Sequence, residues 1–129
     1  MKVIGARKMY EYKLELIRVV DGDTVDGYID LGFDIKVKKR IRLLGINAPE
    51  IRLQSKIKDL KERKAQKELG FKSKRALEGF LSNKDIFVKT RLDKTGKYGR
   101  VLGTIYITEG DQVIDINNML IKEGFAEEY

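Results

Sequence analysis

Residues 35–50 read IKVKKRIRLLGINAPE, in which apolar and basic side chains alternate up to a short corner around the chain's single proline. Successive residues of a strand point to opposite faces. One face therefore carries four apolar residues, with Lys39 out of pattern: Ile35, Val37, Ile41 and Leu43. The other face carries four basic residues: Lys36, Lys38, Arg40 and Arg42. The pattern predicts a strand that buries one side and presents a basic side to solvent or to a ligand.

The segments on either side of this strand predict further strands and a helix. Before it, alternation over Tyr12–Ile17 and over Thr24–Leu31 predicts two strands joined by a turn at Asp21–Asp23. After it, Arg52–Lys67 holds seven basic and two acidic residues, which predicts a mobile loop passing into a helix. The apolar stripe of that helix is predicted to comprise Leu69, Ser73, Ala76, Leu77, Phe80 and Leu81.

The last third of the chain predicts two more strands, over 86–90 and 101–107, and a final helix. That helix is expected to run over Ile116–Glu123, with Asp115 as its N-cap and Gly124 as its stop. Three strands, a helix, two strands and a helix predict a mainly β (α+β) fold in one domain over 1–129. The specific prediction is a five-stranded OB-fold barrel with a helix between strands 3 and 4 and a C-terminal helix. Another α+β sandwich is the alternative.

The composition excludes several kinds of catalytic site and metal site. The 129 residues carry a formal net charge of +7 and contain neither cysteine nor histidine. Catalytic triads that need histidine and zinc sites of the usual His/Cys kind are therefore excluded. Any metal must be held by oxygen atoms, which indicates calcium or magnesium. The positive charge favours polyanionic partners, although a basic surface also serves solubility.

Three short motifs carry candidate chemistry. Asp21-Gly22-Asp23-Thr24 places two acids around a glycine, although such a sequence is more often an ordinary turn. Asn47-Ala48-Pro49-Glu50 forms a corner that Pro49 stiffens, so that Glu50 is either an aimed carboxylate or a solvated loop acid. Thr95–Arg100 contains two glycines that would let the backbone come close to a ligand. The alternative interpretation of this segment is a basic hairpin tip.

Together and in this order the motifs resemble the staphylococcal nuclease (thermonuclease) family. The matching segments are Asp21–Thr24 after the first strand, Arg42–Glu50 after the third, and Lys97–Arg100 before the fifth. The likeness runs from about Tyr12 to Tyr129 and includes the closing Leu120–Ala126.

The resemblance implies a Ca²⁺-dependent nuclease that hydrolyses DNA and RNA, prefers single strands and leaves 3′-phosphate ends. It implies that Asp23, Asn47 and the backbone oxygen of Ala48 bind calcium, with Asp21 in an outer shell. It further implies that Arg42 and Arg100 bind the scissile phosphate and that Glu50 is the general base or orients the attacking water. Lys97 and Tyr98 would contact the neighbouring phosphate of the bound nucleotide. Arginine suits this chemistry because its planar, permanently charged fork matches phosphate oxygens.

One departure keeps a second function open. Asn47 stands where the family usually has an aspartate, so the expected calcium site lacks one negative charge. A catalytically silent OB-fold module that binds nucleic acid is therefore the alternative, whereas Arg42, Glu50 and Arg100 favour the enzyme. Tyr129 is expected to take the place of a base-contacting tyrosine of the family.

The remaining expectations concern partners and location. The expected partners are single-stranded DNA and RNA, with no membrane, and the expected state is a monomer. No segment reaches the ~20 apolar residues of a membrane span. Met1–Tyr10 lacks the apolar core of a signal peptide, which favours a cytoplasmic over a secreted location.

Overall fold

The computed structural model describes residues 10–49, 60–91 and 101–129. Two helices and eight strands lie within these ranges. The helices are α1 (Leu60–Leu81) and α2 (Ile116–Lys122). The strands are β1 (Tyr10–Asp21), β2 (Thr24–Gly32), β3 (Ile35–Leu43), β4 (Ile46–Asn47), β5 (Asp85–Arg91), β6 (Val101–Glu109), β7 (Gln112–Asp115) and β8 (Glu127–Glu128).

Five of these strands close into a barrel. β1 pairs antiparallel with β2 on one side and with β5 on the other, β2 continues to β3, and β5 continues to β6. A short parallel pairing of β3 with β6, from Ile41↔Val101 to Leu43↔Gly103, closes the ring. α1 follows the third barrel strand and α2 follows the fifth. The predicted OB-fold class is confirmed.

The interior of the barrel is apolar because alternate strand residues point inward. Val25, Ile41, Val88 and Ile105 have no measurable exposure. β-branched residues dominate because they pack well on a pleated surface, and each fully buried one contributes about 1.5–3 kcal/mol to stability. α1 packs against β1 and α2 against β6. The helices add four apolar side chains to the same core: Leu77, Leu81, Ile116 and Leu120.

Two predictions about the first helix are wrong. α1 begins at Leu60, so the part of the basic segment from Leu60 to Lys67 is helix rather than loop. Its residues are good helix formers that remain largely exposed, so a helix forms there without an apolar stripe to reveal it. Leu69 is 45% exposed, and Gly70 takes the buried position instead.

The end of the β2–β3 hairpin also departs from the prediction. Ile35 was expected on the buried face of its strand, but 53% of its surface is exposed. The reason is topological: β3 reaches β6 only over Ile41–Leu43, so Ile35 lies beyond the part of the strand that closes the barrel.

The final helix follows the prediction closely. The Asp115 side chain accepts a hydrogen bond from the Asn118 backbone N–H at 2.9 Å, which is the expected N-cap. The helix ends at Lys122, and Gly124 has a φ of 81°, a left-handed backbone that glycine adopts without strain. Neither helix described by the structure has both the length and the apolar character to cross a membrane.

Candidate functional site

The turn between β1 and β2 carries the two aspartates of the first motif. The Asp23 backbone N–H donates to Asp21 Oδ1 at 3.2 Å, so Asp21 folds over the turn as an Asx motif. Asp23 is 6% exposed, and its Oδ1 accepts a hydrogen bond from the Thr24 hydroxyl at 2.9 Å. The turn thus presents two neighbouring carboxylates, one of which is nearly buried.

Gly22 is confined between two other parts of the site. A Cβ added at Gly22 would lie 2.6 Å from the Ser73 Cβ of α1 and 2.8 Å from the Ala48 Cβ. Real Cβ atoms essentially never approach so closely, so only glycine fits without displacing the turn, the helix or the corner. The turn is therefore set in place by packing as well as by hydrogen bonds.

The corner after β3 is joined directly to this turn. The Ala48 backbone N–H donates to Asp23 Oδ2 at 2.8 Å, and the Leu43 N–H donates to the Asp23 carbonyl at 2.8 Å. The corner motif and the turn motif, distant in sequence, thereby form one cluster of oxygen atoms.

Arg42 lies against the same cluster. Its Nη1 is 3.3 Å from Asp23 Oδ2, and its Nη2 donates to Asn47 Oδ1 at 3.3 Å. A second hydrogen bond runs from Nη1 to the Leu43 carbonyl at 3.2 Å. The guanidinium is thus oriented by three acceptors while 16% of its side chain remains open to solvent. Charge and geometry are fixed before any anion arrives.

The end of β8 lies beside this guanidinium. β8 pairs with β4 through Ile46↔Glu128 and Asn47↔Glu127, and the Tyr129 N–H donates to the Gly45 carbonyl at 3.0 Å. The Arg42 Cζ sits 5.9 Å from the centroid of the Tyr129 ring, within cation–π range. Tyr129 is 88% exposed, so its ring is available for stacking next to the arginine.

Known proteins resemble this chain in sequence over most of its length. Residues 40–129 match the model of the family described as Staphylococcal nuclease homologue. The chain belongs to the staphylococcal nuclease family. Membership supports a nuclease or a nucleic-acid-binding module.

Three relatives illustrate the spread of the family. An uncharacterized protein of Methanocaldococcus jannaschii is 33% identical over 128 residues, covering 92% of this chain and 59% of that protein. Protein ParB of Escherichia coli is 27% identical, with 98% and 63% covered. Micrococcal nuclease of Shigella flexneri is 24% identical, with 98% and 64% covered. This chain therefore spans about three fifths of the length of these relatives.

Burial and a neighbouring acid perturb the Asp21 carboxyl of the β1–β2 turn. Burial raises the pKa of the Asp21 carboxyl to about 7; side-chain hydrogen bonding and charge repulsion with Asp23 act in the same direction, and the Asp23 backbone N–H opposes them. A bound cation would oppose this shift, because it stabilises the charged form of a carboxyl group.

The donor set suits a hard cation. It comprises the carboxylates of Asp21 and Asp23, the amide oxygen of Asn47 and the backbone oxygen of Ala48, all of them oxygen atoms as calcium requires. No cluster of three or more His, Cys, Asp or Glu side chains suited to a metal occurs in residues 10–49, 60–91 and 101–129. The type of donor atom therefore suits calcium, although the set carries few negative charges.

A groove of about 470 Å³ adjoins the corner. Asn47 and Pro49 line one wall, and Leu69, Lys72 and Phe125 belong to the rest of the lining. Two of its lining residues are joined by a 2.6 Å hydrogen bond from the Ser73 hydroxyl, on α1, to the Phe125 carbonyl. The groove extends the site with a mixed polar and apolar surface between α1 and the segment after α2.

Asn117 is a structural contributor that the sequence reasoning missed. It is 5% exposed; its Oδ1 accepts from the Ile105 N–H, and its amide nitrogen donates to the carbonyls of Leu44 and Gly103. Asn117 thereby ties α2 to β6 and to the segment that carries Arg42. The available signal was a polar residue between the apolar Ile116 and Leu120 of a short helix.

The structure brings together part of the predicted site. Asp21, Asp23, Arg42, Asn47 and Ala48 converge at one end of the barrel. The predicted catalytic residues Glu50 and Arg100 and the predicted nucleotide-binding residues Lys97 and Tyr98 lie outside the described residues.

Proposed function

We propose that this chain is a calcium-dependent nuclease that hydrolyses the phosphodiester bonds of DNA and RNA. The observation that carries the proposal is the position of Arg42, whose guanidinium lies 3.3 Å from oxygens of both Asp23 and Asn47. A permanent cation and a set of cation-binding oxygens at one point form an arrangement suited to a phosphate group. A relative named micrococcal nuclease supports hydrolysis over simple binding.

Arg42 binds the scissile phosphate in this proposal. Negative charge builds on the phosphate oxygens as the bond breaks, and a preorganised donor stabilises that charge. Arg42 is already held by three acceptors, so little reorganisation precedes binding. The exposed Tyr129 ring beside it offers a surface on which a base stacks.

Calcium would be held by Asp23, Asn47 and the Ala48 backbone oxygen, with Asp21 in an outer shell. When bound, the ion supplies Lewis-acid polarisation of a phosphate oxygen. The Asp23 backbone N–H and Asp21 Oδ1, 3.2 Å apart, hold the two acidic side chains in one turn, and a cation bound there would favour their charged forms.

The remaining roles rest on the family resemblance. Glu50 acts as general base or orients the attacking water, and Arg100 is the second arginine on the scissile phosphate. Lys97 and Tyr98 contact the adjoining phosphate. The proposed products carry 3′-phosphates, single strands are the preferred substrate, and the chain works as a monomeric domain.

The decisive experiment is digestion of single-stranded DNA and RNA with millimolar calcium, followed by the same reaction with chelator. We expect cleavage that stops on chelation, with less cleavage in magnesium because its octahedral demand suits a carboxylate-poor site badly. Cleavage that ignores the chelator, or no cleavage at millimolar calcium, would contradict the proposal.

The second candidate is a catalytically silent module that binds nucleic acid. Asn47 favours it, because the amide brings no charge to a set that has two carboxylates among the described residues. The two functions separate in one comparison: the silent module binds a single-stranded oligonucleotide without shortening it at any calcium concentration.

A further inference from the structure

A row of cations leads away from Arg42 along the outer face of β3. Arg42, Arg40, Lys38 and Lys36 occupy alternate positions of the strand and therefore share one face. We call these four residues the β3 track. It begins at the proposed phosphate site and ends at the β2–β3 turn.

Two of the track's cations are held in place by carboxylates of neighbouring strands. Arg40 forms a bidentate pair with Asp26, at 2.8 Å and 3.1 Å. Lys36 Nζ lies 2.8 Å from Glu15 Oε2 on β1, so this pair reaches across β2. The Arg40 and Lys36 side chains nevertheless remain 48% and 47% exposed. The cations are thus oriented and still accessible to a second anion.

The tip of the hairpin displays an aromatic residue whose backbone conformation is unfavourable. Phe33 and Asp34 form the turn with φ angles of 54° and 62°. Such two-residue turns normally use Asn, Asp or Gly, because a bulky residue is strained at positive φ. Phe33 is nevertheless 97% exposed, so its ring gains nothing from burial within the chain. An exposed ring kept in a strained turn points to a role outside the fold.

Tyr28 adds a second aromatic ring to the same face. It lies directly across from Lys38 in the β2–β3 register and is 38% exposed. Cations interleaved with exposed aromatic rings are the combination that binds single-stranded nucleic acid through backbone contacts and base stacking.

We propose that the β3 track binds the stretch of single-stranded nucleic acid adjoining the scissile bond, with phosphates along Arg40, Lys38 and Lys36 and a base stacked on Phe33. The identity of the ligand rests on the proposed function. Same-face residues of a strand repeat every ~6.6 Å, a spacing similar to that between successive phosphates of an extended strand. A linear row starting at Arg42 suits a polymer better than a lipid surface, which would favour cations grouped around Phe33.

The test is equilibrium binding of labelled twelve-nucleotide oligo(dT), and of an abasic twelve-mer with the same backbone, by fluorescence anisotropy in chelator. Phe33→Asn removes the ring while keeping a residue that tolerates positive φ. We expect it to weaken oligo(dT) binding at least about five-fold, the lower end for loss of one stacked base, and to leave abasic binding unchanged.

Lys38→Ala should act differently, because a phosphate contact does not depend on the base. We expect weaker binding of both oligonucleotides and a log–log salt slope reduced by about 0.7. The matched controls are Val113→Asn, at an exposed apolar position on β7, and Lys122→Ala, at an exposed cation on α2. Both controls should bind oligo(dT) as the parent does, and circular dichroism should show all four variants folded.

The outcomes separate the track from the proposed nuclease activity. If Phe33→Asn or Lys38→Ala binds oligo(dT) as tightly as the parent, the proposal is overturned even if the parent cleaves DNA with calcium. An equal loss on the abasic strand in Phe33→Asn also overturns it, because the effect would then come from the turn. If Phe33→Asn binds DNA like the parent but no longer sediments with phosphatidylglycerol vesicles, the tip of the hairpin is a membrane contact instead. If the parent never cleaves DNA but its binding of oligo(dT) is weakened by both substitutions, the track is supported and the proposed nuclease activity is rejected.

Discussion

Arg42 is the residue whose chemistry a substitution tests most directly. Lysine keeps the charge but loses the planar fork that contacts Asp23 and Asn47 together. We predict that Arg42→Lys lowers kcat by about 10²-fold or more, the scale for loss of one preorganised donor, while the circular dichroism spectrum is retained. Arg75→Lys, at an exposed position of α1, is the matched control and should cleave normally. Near-normal turnover in Arg42→Lys would remove Arg42 from the mechanism.

In the proposed calcium site, Asn47 should limit the affinity for the ion. Ligand charge is a main determinant of calcium affinity, so the parent should need about 10⁻⁴–10⁻³ M calcium for half-maximal activity. Asn47→Asp should lower that concentration and Asn47→Ala should raise it. Calcium titrations of the three proteins provide the measurement. Superimposable curves would mean that Asn47 does not touch the ion.

Asp26 links stability to pH. The hydrogen bond from Arg40 holds the pKa of its carboxyl below the ordinary value of 3.8; Arg18 adds to this, and burial opposes it. A lowered folded pKa stabilises the protein above the unfolded pKa, and the stabilisation is lost as the pH falls through the folded pKa. We predict that Asp26→Asn lowers the free energy of unfolding at pH 7 by about 1–2 kcal/mol.

The difference should shrink as the pH falls below 3.8, because the parent carboxyl then becomes neutral as well. Urea unfolding at several pH values measures it, with Asp111→Asn in the exposed β6–β7 turn as control. A difference that is the same at low and neutral pH would show that charge plays no part.

Among the elements, α2 has an influence out of proportion to its seven residues. Asn117 joins it to Ile105 and Gly103 of β6 and to Leu44. Asn117→Ala leaves a buried N–H and two carbonyls without this partner, so we predict a loss of about 2–3 kcal/mol in the free energy of unfolding. Asn118→Ala, at the exposed neighbouring position, should cost far less. Similar urea midpoints for the two variants would contradict this role.

The hydrophobic pattern of the sequence predicts some of the helices and strands and misses others. The long barrel strands were predictable because burial on one face imposes a period of two, and α2 was predictable from Asp115 and Gly124. The first turns of α1 were not, because exposed basic residues form helix without an apolar stripe. β4 and β8 have two residues each, too few for any period to register.

The sequence motifs single out residues that converge in the structure, but they do not predict the contacts between those residues. Asp23 and Arg42 meet because Thr24 pairs with Arg42 between adjacent strands, which the motif order already suggested. The position of the Tyr129 ring beside Arg42 depends on the β4–β8 pairing, and the role of Asn117 depends on how α2 meets the barrel. Such long-range contacts leave no local pattern in the sequence.

At the scale of the whole molecule, calcium and nucleic acid should stabilise the fold together. In the proposed calcium site, the substrate phosphate would supply an anion that the protein lacks, and coupling between two ligands is reciprocal. We predict that calcium and a cleavage-resistant phosphorothioate oligonucleotide raise Tm together by more than the sum of their separate effects. Thermal unfolding with each ligand and with both gives the comparison. Additive shifts would show that the two ligands bind independently.

The parallel pairing of β3 with β6 has a consequence for the order of events during synthesis. The segment bearing Arg42 is anchored by the Leu44 N–H to the Gly103 carbonyl, by Asn117 to Leu44, and by Asn47 to Glu127. A nascent chain that has emerged from the ribosome as far as β3 holds both Asp23 and Arg42, yet none of these anchors exists. If the proposed nuclease activity holds, we therefore expect the newly made chain to stay inert towards the messenger RNA that encodes it until β8 has been translated.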